Sequence, residues 1–182
     1  QAAQALSQPI TAAVQAIWAC VTNGAKVLAC GSGPSAAQAQ QLAAFCVTGF
    51  ERERPELAAL ALVPDALWLA AATTGAGADI AALARQVRAL GQAGDLLLAI
   101  TIAGNEPAML EAVQAAHERD MTVVALTGRD GGALATLLRE TDVQICVPHD
   151  RPARVREVHA LVLHCLCDGV DAQLLGEQEN PI

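Results

Sequence analysis

The stretch LLLAITIAGNEPAML, Leu96 to Leu110, carries the fold in miniature. Its apolar start is continuous rather than alternating and too short for a helix, so it reads as a strand buried on both faces. Gly104 turns the chain, Asn105 is suited to cap a helix and Pro107 fits a first helical turn. An α/β protein commonly holds a phosphate at such a mouth, because the free N–H groups and dipole of the helix favour an anion. Here the mouth carries a carboxylate of its own, Glu106. The dipole stabilises it by about 0.3 to 1 kcal/mol, and it repels an arriving phosphate.

Outward from this unit the pattern repeats. Apolar runs occur at KVLAC (Lys26 to Cys30), LAALALV (Leu57 to Val63), DLLLAIT (Asp95 to Thr101), TVVALT (Thr122 to Thr127) and VQICV (Val143 to Val147), with helical spacing between most of them. Alternating strand and helix predicts a parallel sheet covered by helices on both faces. The second run, made of Ala and Leu, reads equally well as helix. Ala2 to Val21 predicts one or two helices outside the sheet, and Pro152 to Leu175 a long amphipathic helix carrying Val155, Val158, Leu161, Val162, Cys165, Leu166 and Val170. The expectation is one domain over residues 1–182, with a helical segment at 1–22, a long helix at 152–175 and a loose tail at 176–182.

Composition narrows the class. Hydrophobic residues make up 53% of the 182 and aromatics 2%, so the core is built from Ala, Leu, Val and Ile, which suits close helix-on-sheet packing. A net charge of -8 argues against holding nucleic acid by neutralising phosphates, which needs a cationic face. The one basic cluster, ERERPE at Glu51 to Glu56, is charge-balanced and reads as a solvated loop. The six cysteines, Cys20, Cys30, Cys46, Cys146, Cys165 and Cys167, lack the CxxC spacing of a structural zinc site. With no signal-like start and no apolar run long enough to span a bilayer, they read as buried hydrophobes in a reduced cytoplasm.

Ligand chemistry in an open parallel sheet collects in the loops after the strands. CGSGPSAAQAQ places Gly31 and Gly33 after a strand and Ser35 at a helix start. It also fits the dinucleotide fingerprint, but the acidic partner that reading wants, Asp65, comes late, and a lone glycine pattern is weak. LTGRDGGAL brings Thr127, Gly128, Gly131 and Gly132, which either lend donors to a ligand or simply turn the chain. His159 and His164, five apart on the last helix, do not share one face squarely and read first as packing residues.

Taken together, CGSGPSAAQAQQLAAF, FERERP, VRALGQAGDLLLAI, GNEPAMLEAVQAAHERDMTVVALTGRDGG and RVREVHALVLHCLCDGVD resemble the SIS (sugar isomerase) domain family. The branch they resemble contains phosphoheptose isomerase and the DnaA initiator-associating protein DiaA. The resemblance implies a flavodoxin-like three-layer fold with five parallel strands, assembled as a homotetramer through the terminal helices. In that family a Ser-Thr-Ser-Gly-Asn-Ser segment cups the phosphate, and here it reads Thr101, Ile102, Ala103, Gly104, Asn105, Glu106. One of four hydroxyls remains, while Ser35 still matches the family's phosphate-side serine.

The same resemblance assigns zinc binding and proton transfer to a His and a Glu on the helix after the first loop and to a Gln and a His on the last helix. Those positions are Gln41, Phe45, Arg156 and His164. Three of the four, Gln41, Phe45 and Arg156, cannot hold the metal and only His164 survives, and no base stands at Phe45 for aldose–ketose proton transfer. ATTGAGAD stands where the family has an Asn-Asp pair. The expectation is therefore a non-catalytic adaptor of the DiaA type, with vestigial catalytic positions and no metal, binding the initiator DnaA without touching nucleic acid or membrane. Leu174 and Leu175 are its expected partner contact. Ser35, Thr101, Gly104, Asn105, Glu106 and Thr127 remain as a residual ligand pocket. The alternative is a phosphosugar-binding protein or sedoheptulose 7-phosphate isomerase, which would bring zinc with it.

Overall fold

Every residue of Leu96–Ile100 is buried, as a strand without a polar face must be when helices cover both sides of its sheet. In the computed structural model, which describes residues 2–63 and 80–176, this strand is β3. The order is α1 (Ala2–Thr22), β1 (Val27–Gly31), α2 (Ser35–Thr48), β2 (Ala59–Ala61), α3 (Ala81–Leu90), β3 (Leu96–Ile100), α4 (Pro107–Glu118), β4 (Thr122–Gly128), α5 (Gly132–Leu137), β5 (Val143–Val147) and α6 (Pro152–Leu175). The five strands form one sheet in the order β2-β1-β3-β4-β5, all pairs parallel, with Val27 opposite Leu96 and Leu96 opposite Thr122.

Successive side chains on a strand point to opposite faces, and β3 shows it. Leu96, Leu98 and Ile100 pack with Ile17 of α1, Leu42 of α2 and Val162 and Leu166 of α6. Leu97 and Ala99 face the other way, against Val87 of α3 and Met109, Ala112 and Ala116 of α4. The alanines of α4 let its backbone settle close to the sheet. The expected α/β three-layer sandwich with a five-stranded parallel sheet is the observed fold.

Several local expectations need correction. β2 is three residues long, not seven, because it lies at the sheet edge and pairs with β1 alone. Pro9 sits inside α1 without dividing it. α6 is long and apolar enough to cross a membrane by length and composition, where no such run was expected. Here it lays Val155, Val162, Leu163 and Leu166 into the protein core. Arg54 of the supposedly solvated ERERPE loop is buried against Asp171. Cys30, Cys46 and Cys167 are buried free thiols, pushed up by burial to about 12, 11 and 12, so they stay protonated and unreactive. ATTGAGAD, Asp65 and the tail beyond Gly176 lie outside the described residues.

Candidate functional site

A sheet of this order opens its ligand crevice between β1 and β3, where the connections leave for opposite faces. Two loops rise there. The first, after β1, is pinned to β3 by the Ser32 N–H, which donates to the Ile100 carbonyl at 3.0 Å. At Gly31 any Cβ would collide with the Ser35 carbonyl, so the tight return into α2 requires glycine. The second loop, residues 101–106, follows β3.

The two loops meet on Glu106. Its carboxylate accepts from the Ser32 hydroxyl at 3.1 Å, from the Thr101 hydroxyl at 2.5 Å and from the Asn105 N–H at 3.1 Å. Thr101 is fully buried and its hydroxyl also accepts from the Gly104 N–H at 3.0 Å. Burial pushes the Glu106 carboxyl upward, but the bonds from Thr101, its own amide, Ser32 and Asn105 together hold it below the usual glutamate range. It is therefore an anion at neutral pH. At the start of α2, three positions after Ser32, Ser35 is fully buried and its hydroxyl has no partner among the described residues.

Asn105 does not cap its own helix. Glu106 holds the N-cap position of α4, in extended conformation, with Pro107 behind it. The Asn105 side-chain carbonyl instead accepts from the Ala133 N–H, and the Gly104 carbonyl from the Leu134 N–H, both at 2.8 Å. Both bonds tie this loop to the start of α5. Gly104 allows the approach: its φ is +70°, and a Cβ there would strike the Gly131 carbonyl. Thr127 is fully buried, its hydroxyl accepting from the Gln144 amide at 3.1 Å and its carbonyl facing His159 Nε2 at 3.0 Å. Of the six expected ligand residues, then, Thr101 and Glu106 are joined directly by their side chains, Asn105 joins Glu106 through its backbone N–H, and Ser35 stands at the start of α2. Gly104, Asn105 and Thr127 are engaged in holding loops and strands together.

Sequence reasoning missed Ser32, although it stands between the two glycines of the first loop. It also missed an open groove lined by Asn105, Arg129, Asp130, Pro148, His149 and Asp150, which only the sheet brings together. Arg129 enters it from a left-handed backbone, φ +58°.

The positions assigned to zinc and proton transfer do not assemble a metal site. Gln41 is exposed. The Phe45 ring stands edge-on to Phe50, with centroids 4.9 Å apart, and His164 lies 5.9 Å from Phe45 and 5.2 Å from Phe50. The imidazole is thus part of an aromatic cluster. Arg156 accepts at its carbonyl from the Gln38 amide at 2.8 Å, joining α6 to α2. Among the described residues no group of three His, Cys, Asp or Glu could hold a metal ion. Zinc does not fit this donor set. Leu174 is half-buried against the core, and Leu175 is exposed.

The SIS domain model matches residues 1–128. The chain is 59% identical over 180 residues to the phosphoheptose isomerase of Methylibium petroleiphilum, covering 98% of this chain and 89% of that protein. It is 52% identical over 177 residues to that of an Azoarcus species, covering 96% and 88%. The solved phosphoheptose isomerase of Neisseria gonorrhoeae superposes with a TM-score of 0.87 at 46% identity, covering 94% of this chain and 89% of that one. That of Francisella tularensis gives 0.88 at 42%, covering 93% and 88%.

These relatives overturn the expectation of a non-catalytic DiaA-type adaptor for replication initiation. The expectation rested on a handful of replaced site positions, whereas the identity to the isomerases extends over nearly the whole length of the chain. By sequence along nearly its whole length and by fold, the chain belongs to the SIS domain family, within its phosphoheptose isomerase group.

Proposed function

We propose that the chain works on a seven-carbon sugar phosphate, interconverting sedoheptulose 7-phosphate with its aldose isomer. The observation that carries this reading is the 59% identity to a phosphoheptose isomerase over 98% of the chain. The crevice between β1 and β3 supports it, since hydroxyls and backbone donors there are already arranged around an anion.

Isomerisation takes a proton from the carbon beside a carbonyl and returns it to the neighbouring carbon. With Phe45 at the position the resemblance gives to the base, another group must serve. The carboxylates on the described groove wall that could accept a proton are Asp130 and Asp150, with His149 beside them. His149 Nδ1 accepts from the Arg151 N–H at 3.0 Å, which orients the ring and leaves the Nε2–H as a donor toward a ligand oxygen. The reading also includes a cytoplasmic homotetramer built through the terminal helices. Leu161 on α6, 61% exposed in the single chain, supports such a contact.

The test is direct assay of the purified protein with sedoheptulose 7-phosphate, following the aldose product, alongside a His149→Gln variant. Product formation that falls at least tenfold in the variant supports both the activity and the groove as its place. No product from the folded wild-type protein would overturn the isomerase reading.

A further inference from the structure

The donors that hold Glu106 come from two loops: Ser32 from the loop after β1, and Thr101 and the Asn105 amide from the loop after β3 that carries Glu106 itself. Two hydroxyls and a backbone N–H converging at a helix start, at the switch point of a parallel sheet, form the donor set a phosphate oxygen would take. The protein fills it with its own carboxylate. The Ser35 hydroxyl, at the start of α2 three positions after Ser32, is fully buried and without a partner among the described residues.

We propose that Glu106 is the residue that decides which anions this crevice admits: a ligand's phosphate takes the Ser32, Thr101 and Asn105 donors only by displacing the carboxylate that holds them. This deepens the sugar-phosphate reading and rests on it for the nature of the ligand. Two effects work in one direction. The incoming anion must break three existing hydrogen bonds, and if Glu106 stays nearby and ionised the two negative charges repel. The site therefore discriminates against phosphate relative to a site with a serine in that position. A sugar phosphate binds through contacts made elsewhere along its chain, strong enough to offset the exchange.

Calorimetric titration of the full chain with inorganic phosphate, and separately with sedoheptulose 7-phosphate, tests this on wild type, Glu106→Ser and Glu106→Gln. The serine variant removes the carboxylate and supplies a hydroxyl. The glutamine variant keeps the size, removes the charge and serves if the serine variant fails to fold. Inorganic phosphate should bind at least tenfold tighter to Glu106→Ser than to wild type, with Glu106→Gln in between. Equal phosphate affinity in folded wild type and variants, including none in any of them, overturns the proposal. If the variants gain phosphate while no form binds or converts sedoheptulose 7-phosphate, Glu106 does close the cup and the heptose-phosphate reading falls. If wild type converts the sugar phosphate and neither variant changes phosphate affinity, the functional reading stands and the role of Glu106 falls.

Discussion

The Arg54 guanidinium and the Asp171 carboxylate meet at 2.5 Å, each side chain only 1% exposed. Arg54 also donates to the carbonyls of Phe45 and Cys46 at 2.9 and 2.8 Å, so one side chain joins the chain after α2 to the end of α2 and to α6. Removing one partner leaves a buried charge without compensation, which costs about 3–5 kcal/mol. Arg54→Leu is expected to lose stability in that range by chemical denaturation. A loss under about 1 kcal/mol would mean that water reaches the pair.

His159 sets a pH dependence. It is fully buried, its Nε2 donates to the Thr127 carbonyl and its Nδ1 has no partner among the described residues. Burial lowers its pKa from 6.5, more than the Thr127 bond raises it. Below 6.5 the unfolded chain takes up a proton that the folded one refuses, so stability falls as pH drops from 6.5 toward the folded value. The carboxyls held low, Asp95 and Glu106, act only further into acid, as pH falls past their ordinary values of 3.8 and 4.5. Unfolding free energies measured from pH 7 to 5 should show a flatter slope in His159→Gln than in wild type. Superimposable slopes would place the titration elsewhere.

Gly104 and Gly24 separate backbone strain from collision. Both have positive φ, +70° and +77°, but a Cβ at Gly24 meets nothing within 4 Å, whereas one at Gly104 strikes the Gly131 carbonyl. Gly24→Ala is expected to cost about 1 kcal/mol. Gly104→Ala should cost roughly 2–4 kcal/mol and weaken any ligand binding, since it forces the loop that carries Glu106 away from α5. Equal costs in thermal melts would show that the two loops part freely.

The aromatic cluster at Phe45, Phe50 and His164 predicts behaviour toward metal. A ligand that binds the folded state alone raises the melting temperature. Added zinc is expected to leave the wild-type midpoint unchanged, because His164 stands alone among the four implied ligand positions as a good donor. Phe45→Ala, at a half-buried position, should cost about 2 kcal/mol, less than the 3–5 of a fully buried ring. A zinc-dependent rise in the midpoint would reveal a metal site that these residues do not form.

The strands were legible because a parallel sheet buried on both faces leaves continuous apolar runs. DLLLAIT and VQICV became β3 and β5 within a residue at each end. The last helix was legible over Pro152–Leu175 from its spacing, with a proline in the first turn and a glycine after the last. β2 was blurred because an edge strand of Ala and Leu has no period that distinguishes it from helix.

At the site, the sequence by itself determined which residues stand at each position, and the resemblance to the SIS family implied from them an acid in place of a hydroxyl at the start of α4 and aromatic and basic residues in place of metal ligands. The tertiary structure alone decided what the acid does: its partner Ser32 is 74 positions away, and nothing local joins them until β1 and β3 pair. The same holds for Arg54, which composition placed in water and Asp171, 117 positions on, draws into the protein. Periodicity reports which face of an element is buried. It carries no record of which side chains two distant loops bring into contact, and the chemistry of this crevice lies in those contacts.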